Sequence, residues 1–213
     1  MNDLVTEEKI EALITNEYEF YNSTVKLFIS MVEVAYEAIP DGMLNDIRCF
    51  MGHISDAKIR VSDKLTFREE NIKAAHNHLR RILLDCYKLL IIDMQKYIKQ
   101  FNKQFRWFNL NDVNNGNFCV DFAKLINEAE KAFIEAKNQE RTGKNDRDKE
   151  DLGKVYSCYE DAFNKFCEVR KFIDNSYDAV VRIARKQCVG KILGFLGWTI
   201  GIAVSIIFAV VKF

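Results

Sequence analysis

The chain has 213 residues, and its 31 Lys plus Arg are balanced by 31 Asp plus Glu. Zero formal charge argues against a dedicated nucleic-acid coat, although a local basic patch stays open. One Pro and nine Gly leave few turn signals, so the composition points to long helices around one ordinary core rich in Phe and Tyr.

The first helix is predicted from about Asp3 to Ala38. Ile10, Leu13, Ile14, Tyr18, Tyr21, Val25, Phe28, Ile29 and Val32 recur every three or four residues as one apolar stripe. Pro40-Asp41-Gly42 should end it, because Pro cannot continue a helix and Gly suits a turn. A second helix is expected from near Met43, carrying Leu44, Ile47, Phe50, Met51 and Ile54, and fading by Lys58 to Asp63. Thr66-Phe67-Arg68-Glu69 has the pattern of a capping box. It should open a third helix, Phe67 to Lys103, with Ile72, Ala75, Leu79, Ile82, Leu83, Cys86, Leu89 and Leu90 buried. Arg106 to Asn117 reads as an Asn-rich loop with Trp107 and Phe108 folded in. A fourth helix is expected from Phe118 to Arg141, then a polar turn at Thr142 to Asp146.

The fifth helix opens near Arg147. Leu152, Val155, Tyr159, Phe163, Phe166, Val169, Ile173, Tyr177, Val180 and Ile183 keep heptad-like spacing. The stripe serves either packing on the chain's own core or assembly with other copies. Ile192 to Val211 are then twenty residues without a charge, about 30 Å as a helix, which matches the hydrocarbon core of a bilayer. Lys191 and Lys212 bound the run, and only Lys212 and Phe213 follow it. A tail anchor is expected. Gly190, Gly194, Gly197 and Gly201, with Ser205 beyond, lie on one helix face. Such small residues let helix backbones approach closely in lipid, which favours self-association into a dimer or a ring. Trp198 sits mid-span and suits a packed position better than an interfacial belt.

The expected architecture is therefore all-α. Residues 1–187 form a cytosolic bundle of about five long helices, and residues 188–213 a single C-terminal transmembrane helix. Between Lys165 and Lys191 lie Lys165, Arg170, Lys171, Arg182, Arg185, Lys186 and Lys191 against Glu168, Asp174 and Asp178. The positive-inside rule then places the body in the cytoplasm. Met1 to Glu8 is polar and acidic, so no signal peptide is expected. The Asn- and Lys-rich, Pro-poor composition looks bacterial, which makes the bacterial inner membrane the expected location.

Chemistry has few candidates. Cys49, Cys86, Cys119, Cys158, Cys167 and Cys188 form no CxxC pair and no Cys–His set at zinc spacing, and they read as reduced core thiols. No metal, cofactor or small-molecule substrate is implied. Arg48 and His53, in the segment IPDGMLNDIRCFMGHISDA, stand five apart, about 140° around a helix. His is able to move a proton at a 2′-hydroxyl or leaving oxygen, and Arg to neutralise a phosphate. A spacing this short also arises by chance. His76 and Arg80, at i and i+4 on the third helix, either join Arg48 and His53 in a polar seam or form a solvated face. Arg81 and Asp85 are most simply a salt bridge. His76 and His78 point to different sides, against a metal site.

That segment resembles the Arg-x4-6-His helix of HEPN domains, all-α modules found in RNases of antiviral and toxin systems. The resemblance carries over to Arg48 and His53 alone, as a catalytic pair completed by a second protomer. Cys49 departs from the usual polar residue after the Arg, which bears on catalysis more than on fold. A HEPN-like bundle with a membrane segment also resembles the small membrane accessory proteins of type VI-B CRISPR systems, which assist an RNA-guided RNA-cutting effector. That resemblance implies an oligomeric membrane pore that depolarises the host in antiphage defence. Alternatives are a membrane-tethered, metal-independent endoribonuclease acting on RNA, and a tail-anchored helical adaptor. Membrane lipid, copies of the chain itself and an RNA-targeting effector or RNA are the expected partners.

Overall fold

The computed structural model describes residues 6–59, 64–143 and 151–211. Among them are six α-helices and no strand: α1 (Glu7–Phe20), α2 (Lys26–Tyr36), α3 (Asp41–Lys58), α4 (Leu65–Phe105), α5 (Phe118–Gly143) and α6 (Asp151–Val211).

α1 starts at Thr6, whose hydroxyl accepts from the Lys9 amide at 3.3 Å, and Glu7 and Glu8 follow at the positive end of the helix dipole. A π-helical turn, Tyr21–Val25, joins α1 to α2 without a break. The apolar stripe had not revealed this turn. Its wider turn lets Tyr21 stack on Phe50 (centroids 5.6 Å apart) while Val25 is also buried. α2 ends at Glu37 in the left-handed conformation, φ 55°.

Pro40 plays a different part from the expected one. It is the N-cap of α3, its carbonyl accepting from the Met43 and Leu44 amides at 2.9 and 3.2 Å. Asp41 and Gly42 belong to the first turn of α3 rather than to a loop. Pro needs no amide partner at a helix start, and Asp41 suits the dipole there. The capping box is also corrected. α4 begins one residue before Thr66, and Lys64 is the cap residue. Its carbonyl accepts from the Phe67 and Arg68 amides, so Thr66 is already helical and in no position to cap. Glu69 turns instead to Lys73 at 3.5 Å and Lys9 at 3.9 Å.

α4, 41 residues long, is the central rod. Leu79, Ile82, Leu83, Cys86 and Ile91 on it are fully buried. α1, α2, α3 and α6 all pack against it, and α6 also carries α5. Burial pushes the Cys86 thiol up to about 12. The six cysteines are free thiols, but Cys188 is exposed rather than in the core.

α4 and α5 are joined by a corner containing a short 3-10 segment, Leu110–Gly116. Asn114 and Asn115 adopt left-handed conformations and Gly116 has φ 94°. Gly is at ease there and Asn tolerates it, which accounts for the Asn-rich composition. Phe108 packs against the core as expected, but Trp107 does not fold in; it is 72% exposed.

α6 runs 61 residues without interruption, about 90 Å at the α-helical rise. The body part of α6 answers the question left by its heptad-like stripe. Val155, Tyr159, Phe163, Phe166, Val169, Ile173 and Val180 are buried within this one chain, against α4 and α5. Phe118 and Phe122 of α5 stack with Phe172 at 5.3 and 6.3 Å. The stripe is therefore already used by the chain's own core. Of the expected turn Thr142 to Asp146, Thr142 and Gly143 are still in α5, Thr142 bonding the Asn138 carbonyl at 3.1 Å; the rest of it and the helix start near Arg147 lie outside the described residues.

Candidate functional site

α3 and α4 lie side by side with four polar side chains facing across the seam between them. On α3, Asp46 and His53 are seven residues, about two turns, apart. On α4, Asn71 and His78 have the same separation. His53 Nδ1 lies 2.9 Å from Asn71 Oδ1, and His78 Nδ1 lies 2.7 Å from Asp46 Oδ1. The two imidazoles stack, centroids 5.4 Å apart and planes 25° apart.

These contacts fix where the ring protons sit. Asn71 donates its amide nitrogen to the Phe67 carbonyl at 3.0 Å, so its oxygen faces His53 as an acceptor. His53 must then donate from Nδ1–H. A carboxylate only accepts, so His78 likewise donates from Nδ1–H to Asp46. In each neutral ring the lone pair falls on Nε2. Among the described residues neither Nε2 has a protein partner, and no buried polar side-chain atom lacks one. Both Nε2 atoms therefore reach solvent. Arg81, 57% exposed, holds its guanidinium 3.5 Å from Asp46 and is the cation of this cluster.

Arg48 takes no part in the pair. It is exposed and donates to Asn45 Oδ1 at 2.6 Å, toward the start of α3 and away from His53. The expected seam thus forms with different members. His53 is in it, but His76 and Arg80 are not. His76 faces α1, with Nδ1 3.0 Å from Glu17 and its ring 5.7 Å from Phe20. Arg80 lines a small cavity of about 130 Å³ with Asn77, Arg81, Leu84 and Tyr156. The reason is angular: His76 and His78 lie about 200° apart around α4, so only one of them can face α3. The Arg81–Asp85 salt bridge is also replaced. Arg81 reaches Asp46, and Asp85 pairs with Lys88 at 3.5 Å.

Sequence reasoning missed Asp46 and Asn71, and from the cluster His76, His78, Arg80 and Arg81 it took His76 and Arg80 for the seam where the structure takes His78 and Arg81. The available signal was the repeated seven-residue spacing, Asp46 to His53 and Asn71 to His78, on helices joined by a short connection. Chemically, two stacked imidazoles whose Nε2 atoms are not committed to protein partners among the described residues suit proton removal at one ring and, when the other is protonated, proton delivery at that one. Asp46 and Asn71 hold the rings in one tautomer, the orienting role of a third group behind a catalytic histidine. Among the described residues, no group of three or more His, Cys, Asp or Glu side chains is placed to hold a metal.

The second feature is the far end of α6. From Val189 to Ser205 every described side chain but Thr199 is exposed, and α6, which carries this stretch, is long and apolar enough to cross a membrane. Its two hydroxyls are satisfied by the helix itself: Thr199 donates to the Leu196 carbonyl and Ser205 to the Gly201 carbonyl, both at 2.8 Å. A side chain added at Gly190, Gly194, Gly197 or Gly201 meets nothing within 4 Å. Nothing inside this chain requires glycine at those positions. Trp198 is 64% exposed, beside Phe195 at 6.2 Å.

Comparison with known proteins adds no relative: no family model matches the chain, and neither a curated protein nor a solved structure does.

Proposed function

We propose that this is a single-pass membrane protein, its helical body cytoplasmic, that assembles through the glycine face of α6 and acts on the membrane as a pore-forming effector. The observation that carries the reading is the bare end of α6. A continuous helix leaves the body and exposes sixteen of the seventeen residues from Val189 to Ser205, a stretch whose only charge is Lys191. Water is a poor surrounding for that much apolar surface, and lipid a good one. Internally bonded hydroxyls suit hydrocarbon, where no water is available to them. The glycines support self-association because the chain has no internal use for their smallness. The HEPN-like resemblance around Arg48 and His53 supplies the context of antiphage defence beside an RNA-targeting CRISPR effector, in the bacterial inner membrane.

The test is the mass of the detergent-solubilised full chain, followed by conductance in planar bilayers. Replacing Gly194, Gly197 and Gly201 with Ile should break a discrete oligomer into monomers and abolish conductance. A triple variant that assembles and conducts like the parent sinks the proposal.

A second reading is favoured by the His53–His78 pair: a membrane-tethered, metal-independent endoribonuclease. One imidazole would take the 2′-hydroxyl proton as that oxygen attacks the phosphorus. The other, entering the step as an imidazolium with a proton on Nε2 as well as Nδ1, would protonate the departing 5′-oxygen, leaving a 2′,3′-cyclic phosphate, with Arg81 near the phosphate. Here cleavage in chelator should be lost in His53→Ala and in His78→Ala and kept in the glycine variants. RNA left intact after prolonged incubation with the full chain counts against it. A chain that neither assembles nor cleaves RNA is left with the adaptor role.

A further inference from the structure

The corner between α4 and α5 stands level with the place where α6 leaves the body. Gln187 of α6 accepts from the Asn109 amide at 3.0 Å and donates to the Asn109 carbonyl at 2.7 Å. Lys191, one turn on, donates to the Trp107 carbonyl at 3.5 Å and lies over the Phe108 ring at 5.8 Å. The next residue, Ile192, begins the uncharged run. If that run fills the hydrocarbon core, Gln187 to Lys191 lie within about 8 Å of it, in the headgroup layer. The corner bonded to them lies in the same layer.

What the corner presents there suits that layer. Trp107 is 72% exposed, and the only ring-face contact it has among the described residues is its neighbour Arg106, 4.6 Å from the ring. An exposed indole costs free energy in water but is favoured at a membrane interface, where the ring meets apolar chains and its N–H stays wet. Lys103 and Arg106 are exposed on the same stretch, Lys191 is exposed and bonds the Trp107 carbonyl, and Asp112 is the one acid in the sequence from Lys103 to Asn117, a positive balance that complements anionic headgroups.

Building on the membrane reading of α6, we infer that the Trp107 corner is a second membrane contact, an interfacial foot seated among anionic phospholipid headgroups. α6 crosses the bilayer, and Trp107 grips the surface beside the crossing point. Two contacts on one face hold the body at a set angle to the membrane.

The chain contains two Trp, so each is observable alone. The full-length Trp198→Phe variant is reconstituted in phosphatidylcholine vesicles with and without phosphatidylglycerol, which leaves Trp107 as the reporter. Its emission should be blue-shifted from that of indole in water. A headgroup nitroxide should quench it more strongly than bromines near the bilayer centre, and phosphatidylglycerol should increase that quenching. Water-like emission quenched by aqueous iodide overturns the foot. Equal quenching with and without phosphatidylglycerol overturns the anionic preference. Blue-shifted emission that no lipid quencher reaches means a second copy covers the ring, and also overturns it. The Trp107→Phe variant reports on Trp198 separately. Trp198 quenched by deep bromines keeps the span even when the foot fails, whereas a water-exposed Trp198 takes the span down first.

Discussion

Arg68 is the side chain whose replacement should most disturb the His53 seam without touching it. Its guanidinium is 2% exposed. It donates Nε–H to the Ala57 carbonyl at 2.5 Å, pairs with Glu7 at 2.5 Å and lies 3.6 Å from Glu11. One residue thereby ties α1, the last turn of α3 and the first turn of α4. Arg68→Met keeps most of the aliphatic stem and removes the charge. The Ala57 carbonyl, in a turn that the helix itself no longer serves, loses its buried donor, at about 1–3 kcal/mol. Glu7 and Glu11 are 50% and 59% exposed and stay solvated, so their loss adds about 1 kcal/mol at most. The expected total is about 1–4 kcal/mol, or a melting temperature lower by about 2–16 °C for a chain of this size.

The reverse change is the sharper test. Glu7→Gln with Glu11→Gln leaves a guanidinium in its buried site with no opposing charge. Breaking a buried pair this way costs about 3–5 kcal/mol before discounting for the half-exposed carboxylates. The double Gln variant should therefore lose at least as much stability as Arg68→Met. The assay is thermal unfolding of the full chain in detergent, followed by circular dichroism. A double variant melting within about 2 °C of the parent, a shift worth under about 1 kcal/mol, refutes the argument that Arg68 depends on those acids.

With both rings neutral, nitrogen chemical shifts should show the Nδ1–H tautomer in His53 and His78. Asn71→Leu should release the His53 tautomer and leave that of His78 unchanged; an Nε2–H signal from either ring in the parent refutes the seam. Tyr97 donates to Asp174 at 2.6 Å, and chiefly this bond, together with burial, pushes its phenol up to about 12 from an ordinary 10. A phenol raised in the folded state contributes stability that is complete below pH 10 and is lost as pH climbs toward 12. Tyr97→Phe should flatten stability against pH across that window, and an unchanged slope contradicts it.

The apolar half of this fold was legible because burial follows period. Ile72, Ala75, Leu79, Ile82, Leu83 and Cys86 recur at the helical spacing, and all six are buried. Nothing in that spacing tells which helix they meet, which is why the stripe on α6 fitted the chain's own core or another copy equally well until its partners α4 and α5 were seen. The polar site was harder for the same reason. Arg48 and His53 stand out along one helix, yet His53 is completed by residues of another, Asn71 and His78, and only the register of α3 on α4 selects His78 over His76. Thr66 shows a further limit. The letters of a capping box are present, but a cap is a backbone conformation, and the helix had already begun at Leu65. Trp107 was misplaced because an indole in a loop is by default folded inward, whereas here its neighbour Phe108 takes the place against the core.

The absence of any hinge in α6 has a mechanical consequence. The helix packs against α4 and α5 at one end and carries the apolar run at the other, with no Pro along its length and no break in the helix from Asp151 to Val211. It is a shaft rather than a tether. A twist or tilt of one end is delivered to the other, where a flexible linker would absorb it. Under the proposed membrane reading, thinning of the bilayer that tilts the apolar end should swing the body through a comparable angle, and a load that turns the body reaches the apolar end directly.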